Sequence, residues 1–259
     1  MNDISNSADR AGDILETIGE KAEDLLEHVT DGVAEEMVQQ NKITWALWIA
    51  LGAIIVWGLW QGAWRTSFVA GITLVLTLLP LVFQRMADFR LPRLLISIIV
   101  GFAVCTLVMG EVFDFYERFW WWDVALHSGS AVMFGLFGVI LIMLVFDNAS
   151  IKASPKMVAF LAFCFAMAVG GVWEIFEFGM DELFGLNMQK DGLNDTMWDL
   201  IVDMLGAIIG SAGGYVYLRY GRKGAISNLI AETVSRNHTH FNAKPSHKNA
   251  SGESLPTDA

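Results

Sequence analysis

Six blocks of apolar residues, each close to the length that crosses a lipid bilayer, dominate this chain. A hydrocarbon core of about 30 Å takes roughly 20 helical residues, and the blocks run approximately over 43–64, 66–83, 92–110, 124–146, 156–181 and 196–218. With 54% hydrophobic and 17% charged residues and a mean hydropathy of +0.46, the 259-residue chain is too apolar for an ordinary soluble domain. The expected fold is an all-α, polytopic membrane bundle of about six transmembrane helices. Ser154 followed by Pro155 reads as an N-cap with proline at the first helical position, and Pro92 opens the third span likewise.

The basic residues predict an orientation. Arg85, Arg90 and Arg93 fall between spans 2 and 3, Lys152 and Lys156 between spans 4 and 5, and Arg219, Arg222 and Lys223 after span 6. The alternate loops hold Arg65, Arg118 and Lys190. An excess of Lys and Arg marks cytoplasmic loops, so both termini are expected in the cytoplasm. Trp60, Trp64, Trp120, Trp121 and Trp122 suit an aromatic belt at the outer interface.

Three regions follow. Residues 1–42 carry eleven Asp and Glu against three Lys and Arg, and the absence of an apolar block before Ile43 predicts a retained first helix rather than a cleaved signal. Ile14, Ile18, Leu25, Val29 and Val33 mark one face of an amphipathic helix there. Such an acidic helix is either a solvated cytoplasmic segment or, over residues 12–40, a docking surface for a protein partner or a second copy. Residues 43–218 form the membrane domain, in contact with lipid. Residues 219–259 turn polar and are expected to lack order, and His238, His240 and His247 in that tail are not expected to bind metal. Cys105 and Cys164, without CxxC spacing, read as packing residues. A net charge of −11 argues against a nucleic-acid partner.

Outside the N-terminal segment the acids concentrate at one side. Twelve fall at the outer ends of spans 3 to 6 or in the outer loops: Glu111, Asp114, Glu117, Asp123, Glu174, Glu177, Asp181, Glu182, Asp191, Asp195, Asp199 and Asp203. Glu174, Glu177 and Asp181 share one face of span 5 at i, i+3, i+7, and Asp195, Asp199 and Asp203 share one face of span 6 at i, i+4, i+8. His127, four residues after Asp123, enters from span 4. Asp123 and Asp195 are expected to interact with helix N-termini, and Asp181, Glu182 and Asp191 to be hydrated. Glu174, Glu177, Asp199 and Asp203 have no basic partner in spans 4 to 6, and a carboxylate at mid-membrane costs about 2.5–3.5 kcal/mol even on mild scales. Protons, a metal ion or a cationic ligand must compensate. Gly206, Gly210 and Gly214 form a GxxxGxxxG ridge on span 6, and Gly170 and Gly171 lie below the acids of span 5. Both suit close helix packing.

His127, the run Trp173-Glu174-Ile175-Phe176-Glu177 followed by Asp181, and the stretch from Trp198 to Ala207 with Asp199, Asp203, Met204 and Gly206 resemble the bacterial inner-membrane family typified by YjdF. The resemblance covers about residues 94–218. It departs at Leu200 and Ile201, where Thr and Gln often stand in that family. A more distant likeness is to VanZ-like membrane proteins. The resemblance implies a multi-span inner-membrane protein and carries no particular activity. Other membrane chemistries fit poorly: the UbiA-type aspartate spacing, the CDP-alcohol phosphotransferase motif, the rhomboid and phosphatidic-acid-phosphatase serine and histidine motifs, desaturase His boxes and paired Glu-x-x-His di-iron motifs are all missing from the sequence.

The expected site therefore comprises His127, Glu174, Glu177, Asp199 and Asp203 as ligands of a divalent metal. Glu174 or Glu177 would be the catalytic base of an enzyme acting on a lipid-linked substrate from the outer face. Proton-coupled or cation transport is the alternative, and a non-catalytic scaffold or lipid-binding module a third. In a background with Cys105 and Cys164 replaced by Ser, an impermeant thiol reagent applied outside intact cells should label Asp191→Cys and spare Ser235→Cys. The reverse labelling would invert the topology.

Overall fold

A computed structural model describes residues 2–87, 89–147, 153–221 and 224–237. Among the described residues every regular element is helical. Helix α1 spans Asn2–Val38, α2 Lys42–Trp60, α3 Trp64–Ala87 and α4 Arg93–Ala103, which continues as a π-helical segment over Val104–Val112. The short α5 spans Phe115–Arg118, followed by α6 Trp122–Asp147, α7 Pro155–Phe184, α8 Leu193–Tyr220 and α9 Gly224–Arg236. Among the described residues, six helices are long and apolar enough to cross a membrane: Lys42–Trp60, Trp64–Ala87, Arg93–Val112, Trp122–Phe146, Pro155–Phe184 and Leu193–Tyr220.

The helix ends follow local chemistry. Asn41 caps α2 by accepting from the Thr44 amide at 3.0 Å, and Ser154 caps α7 by accepting from the Met157 amide, with Pro155 at the first position. Gly185 ends α7 with φ +65°, a left-handed turn in which glycine carries no Cβ penalty. The third span is not the plain α-helix that periodicity predicts. Its second half widens to π geometry, a form that recurs at functional sites.

The bundle has two packed halves. In the first, Trp48 and Leu51 of α2, Ala70 and Leu81 of α3, and Ile96, Val100 and Val108 of the third span are buried together. Leu136 and Ile140 of α6 join that core and link it to the second half, made of α6, α7 and α8. There the glycine ridge of α8 lies directly on α6. A Cβ on Gly210 would run into the Val132 carbonyl, one on Gly206 would sit 2.6 Å from the Ser128 carbonyl, and one on Gly214 would meet the Val139 side chain. Gly135 is the reciprocal gap in α6, and Gly138 gives α7 the same close approach at Ala162. The ridge therefore serves packing inside one chain, against span 4.

The tail is a correction. Residues from 219 onward were expected to lack order, yet α9 folds back under the bundle with Ile230 fully buried and Leu229 and Val234 packed on the core. The Asn237 amide closes the contact, accepting from the Arg90 backbone N–H at 2.6 Å and donating to the Arg90 carbonyl at 2.8 Å. Polar composition concealed a short apolar stripe at positions 229, 230 and 234. Residues 238–259, with His238, His240 and His247, and also Lys152, Arg222 and Lys223, lie outside the described residues.

Gly210→Ala should lower the detergent melting temperature through a cost of about 1–3 kcal/mol, because the new methyl meets backbone rather than a movable side chain. Gly171→Ala, whose Cβ would meet nothing within 4 Å, should leave it unchanged. Thermal unfolding followed by circular dichroism distinguishes the two.

Candidate functional site

Close contact between α6 and α8 brings the acids of the eighth helix to the imidazole of the sixth. His127 is 8% exposed, Asp199 4% and Asp203 2%. His127 Nδ1 lies 3.3 Å from Asp203 Oδ1. The opposite ring nitrogen, Nε2, stands 3.8 Å from Asp123 Oδ1 and 4.0 Å from Asp199 Oδ2. One ligand atom from each of Asp123, His127 and Asp199 can be chosen so that all lie within 4.8 Å of one another. Asp203 owes its place to Gly170 of α7, where a Cβ would collide with its Oδ2.

Glu174 approaches from α7. It is 4% exposed, and neither of its carboxylate oxygens has a hydrogen-bond partner. Gln189 and Thr196 stand close by but bind each other at 2.6 Å, while the Gln189 amide also donates to the Glu174 main-chain carbonyl at 3.4 Å. Glu177, one turn further along, is half-buried and accepts from the Trp173 indole at 2.9 Å. Both glutamates lie within electrostatic reach of His127.

Sequence spacing thus identifies a group that the structure partly regroups. His127, Asp199 and Asp203 converge in direct contact. Glu174 faces them, and Glu177 is held by its own helix. Asp203, expected beside Asp199 as a ligand, touches the other ring nitrogen instead. Asp123, expected to serve the helix N-terminus, lies in the first turn of α6 but also reaches Nε2. Its i, i+4 relation to His127 was the signal that could have marked it.

The basic residues at this end are occupied elsewhere. Arg65 pairs with Glu111 at 3.6 Å, Arg118 with Asp114 at 3.9 Å and Lys190 with Glu117 at 3.6 Å. Lys190 also donates to the Tyr116 carbonyl at 2.8 Å and lies 5.1 Å from the centre of its ring. Burial pushes the Tyr116 phenol above its usual range, and the negative charges of Asp123, Glu111 and Glu177 push it further. This phenol, carried between spans, is a neutral polar neighbour of the acids that sequence reading overlooked.

A loop roofs the site. Asp181, expected to be merely hydrated, accepts from the Met188 and Gln189 amides at 2.7 and 2.9 Å, and Asp195 accepts from the Lys190 amide at 3.2 Å. These bonds fold residues 185–192 back over Glu174.

Six apolar spans around a buried histidine and acids define a polytopic helical membrane protein. The chain belongs to the family described as Predicted membrane protein (DUF2238), whose profile matches residues 43–220. It is also 33% identical over 129 residues to a Thermotoga maritima protein described as "Uncharacterized protein". That match covers 49% of this chain and 65% of the relative, a little under two thirds of the relative's length. No solved structure matches significantly.

Asp181→Ala should release the roof without disturbing the bundle. Hydrogen bonds to a charged acceptor contribute about 1.5–3 kcal/mol, so hydrogen exchange at the Met188 and Gln189 amides should accelerate by about ten- to a hundredfold, measured by mass spectrometry.

Proposed function

We propose that this protein holds one divalent metal ion at His127 Nε2, with Asp123, Asp199 and Glu174 as the carboxylate ligands, and uses it on a lipid-linked substrate. The single observation that carries the reading is Glu174, buried with both oxygens unpartnered against a group of possible ligands. A buried carboxylate without a partner is costly. His127 can supply at most one positive charge to Asp123, Glu174, Glu177, Asp199 and Asp203, so further positive charge or protons must enter.

The two faces of the imidazole divide the labour. Asp203 at Nδ1 would hold the proton on that nitrogen and leave the Nε2 lone pair free toward Asp123 and Asp199, the carboxylate–histidine–metal arrangement of many protein sites. Asp203 is then a positioning residue. One imidazole among carboxylates suits Zn²⁺, Mn²⁺ or Fe²⁺. Such an ion polarises a phosphoryl or carbonyl oxygen and activates water, with Glu174 or Glu177 placed to take the proton.

Membrane location and the Lys/Arg pattern support a bacterial inner-membrane protein with cytoplasmic termini and this site toward the outside. An outward site favours hydrolysis or transfer on lipid-linked groups over use of cytoplasmic nucleotides. A second reading, proton-coupled or cation transport, is favoured by the line of contacts from Asp123 through both nitrogens of His127 to Asp203, which could pass protons into the bundle.

Metal analysis of detergent-purified protein should find about one equivalent of Zn, Mn or Fe. Added metal should raise the melting temperature, by about 2.7 kcal/mol of stabilisation at a hundredfold excess over Kd. Asp199→Asn should abolish that shift, and Asp203→Asn should weaken affinity about 10- to 100-fold. Wild-type protein that carries no metal and gains no stability from Zn²⁺, Mn²⁺, Fe²⁺, Mg²⁺ or Ca²⁺ would sink the metal reading in favour of protonated acids.

A further inference from the structure

We infer that the cleft between α7 and α8 at the basic end of the bundle binds one anionic glycerophospholipid, with an acyl chain in the cleft and the phosphate at Lys156 and Arg219. The inference is independent of the metal site and of which side of the membrane the basic end faces.

The cleft lies between the halves of α7 and α8 that are remote from the acids, and has a volume of about 380 Å³. Small residues, Ala159 of α7 with Ser211 and Ala212 of α8, make it concave. Phe160 and Ile208 rise on either side, 63% and 48% exposed. The Ser211 hydroxyl donates to the Ile208 main-chain carbonyl at 3.2 Å, so the one polar group among these residues is already bonded. An apolar trough on the side of a membrane bundle is a surface for hydrocarbon.

Its mouth is cationic. Lys156 lines the cleft, is exposed, and stands in the first turn of α7, where the helix dipole also favours an anion. Tyr215 lines the facing helix. Arg219 follows one turn later, in the last turn of α8, with its guanidinium 5.7 Å from the centre of the Tyr220 ring. Tyr215 and Tyr220 meet edge to face at 6.5 Å, an aromatic pair of the kind that sits at headgroup level. Among the described residues neither Lys156 nor Arg219 pairs with a carboxylate.

This order of charge and apolar surface identifies the occupant. Both cations stand at helix ends, and the cleft runs from Lys156 to Phe163, about 10 Å along α7 toward the hydrocarbon. Free phosphate has no use for the trough, and a neutral lipid none for the cations. A helix of a second copy would cover the trough and leave the cations without counter-charge. An anionic phospholipid matches both parts, as basic pockets between membrane helices do for such headgroups elsewhere.

Native mass spectrometry of the full chain, from detergent holding equal amounts of dioleoylphosphatidylglycerol and dioleoylphosphatidylcholine, should show a single phosphatidylglycerol retained per chain. Inorganic phosphate should not displace it. Lys156→Glu puts an acid where a helix N-terminus tolerates one, and should lower retention by at least about fivefold, the worth of one basic residue at an anionic surface. Ala212→Phe, which fills the trough, should lower retention likewise. Lys42→Glu, an exposed residue at the start of α2 and the same end of the bundle, should leave it unchanged. Equal retention of the two lipids, displacement by phosphate, equal losses in Lys156→Glu and Lys42→Glu, full retention in Ala212→Phe, or a lipid-free pair of copies would each overturn the inference.

Discussion

Close approach of α6 and α8 sets the distances from His127 to Asp199 and Asp203 in the candidate site. Gly206 lies three residues beyond Asp203 on α8, and any Cβ there would collide with the carbonyl of Ser128, the residue after His127. The glycine ridge and the histidine–aspartate contact are thus neighbouring layers of one interface. Without side chains at positions 206 and 210, the helices approach until main-chain atoms meet, and His127 is carried to within 3.3 Å of Asp203. A bulkier ridge would separate the same residues by a side-chain diameter, beyond the reach of short aspartates. Small residues are the usual means of packing helices in lipid, where no hydrophobic force drives them together. Here the same means also fixes polar geometry.

The third helix completes the layer by a different compromise. Gly170 of α7 gives Asp203 its space, and one turn later Glu174 enters the buried zone with both oxygens unpartnered. The turn after that carries Glu177, tied to Trp173. Along α7 the sequence passes from a gap, to a bare acid, to an acid restrained by an indole. Depth and freedom therefore differ among residues that a helical wheel places together. Such a gradient suits a site with one reactive or ligating carboxylate and others that set its field.

The spans and their order were legible because hydropathy reports length and lipid contact directly, as for Lys42–Trp60 and Pro155–Phe184. Spacing likewise put Asp199 and Asp203 on one stripe of span 6 and Glu174 and Glu177 on one of span 5, with His127 entering from span 4. It could not assign the two nitrogens of His127, because a wheel gives an angle and no ring orientation. Asp123 illustrates a different limit: its place in the first helical turn and its contact with Nε2 are compatible, so reading it as a helix-terminal charge hid the second role. The π geometry of Val104–Val112 has no sequence mark of its own among uniformly apolar residues. Helix α9 was hidden by composition, since three apolar residues suffice when a bundle already offers the surface they cover.

The two ends of the bundle differ in what their polar groups bind. At the basic end, side chains bond backbone groups: Gln84 accepts from the Leu91 amide at 2.5 Å, Asn237 brackets Arg90, and Asn41 donates to the Arg93 carbonyl at 3.4 Å. Satisfied polar groups of this kind define a single arrangement and add rigidity. At the acidic end, loop backbone is satisfied at the periphery by Asp181 and Asp195, whereas the buried centre retains an unpartnered carboxylate and a histidine in partial contact with three acids. Other buried polar atoms also lack a partner, Gln84 Nε2 and Arg85 Nε at the basic end among them, but Glu174 is the one carboxylate of that group among the described residues, with both oxygens bare beside a buried histidine and two buried aspartates, and that gives it the character of a binding site. Close packing at the glycines sustains that state, because α6, α7 and α8 have no room to move toward one another to relieve it.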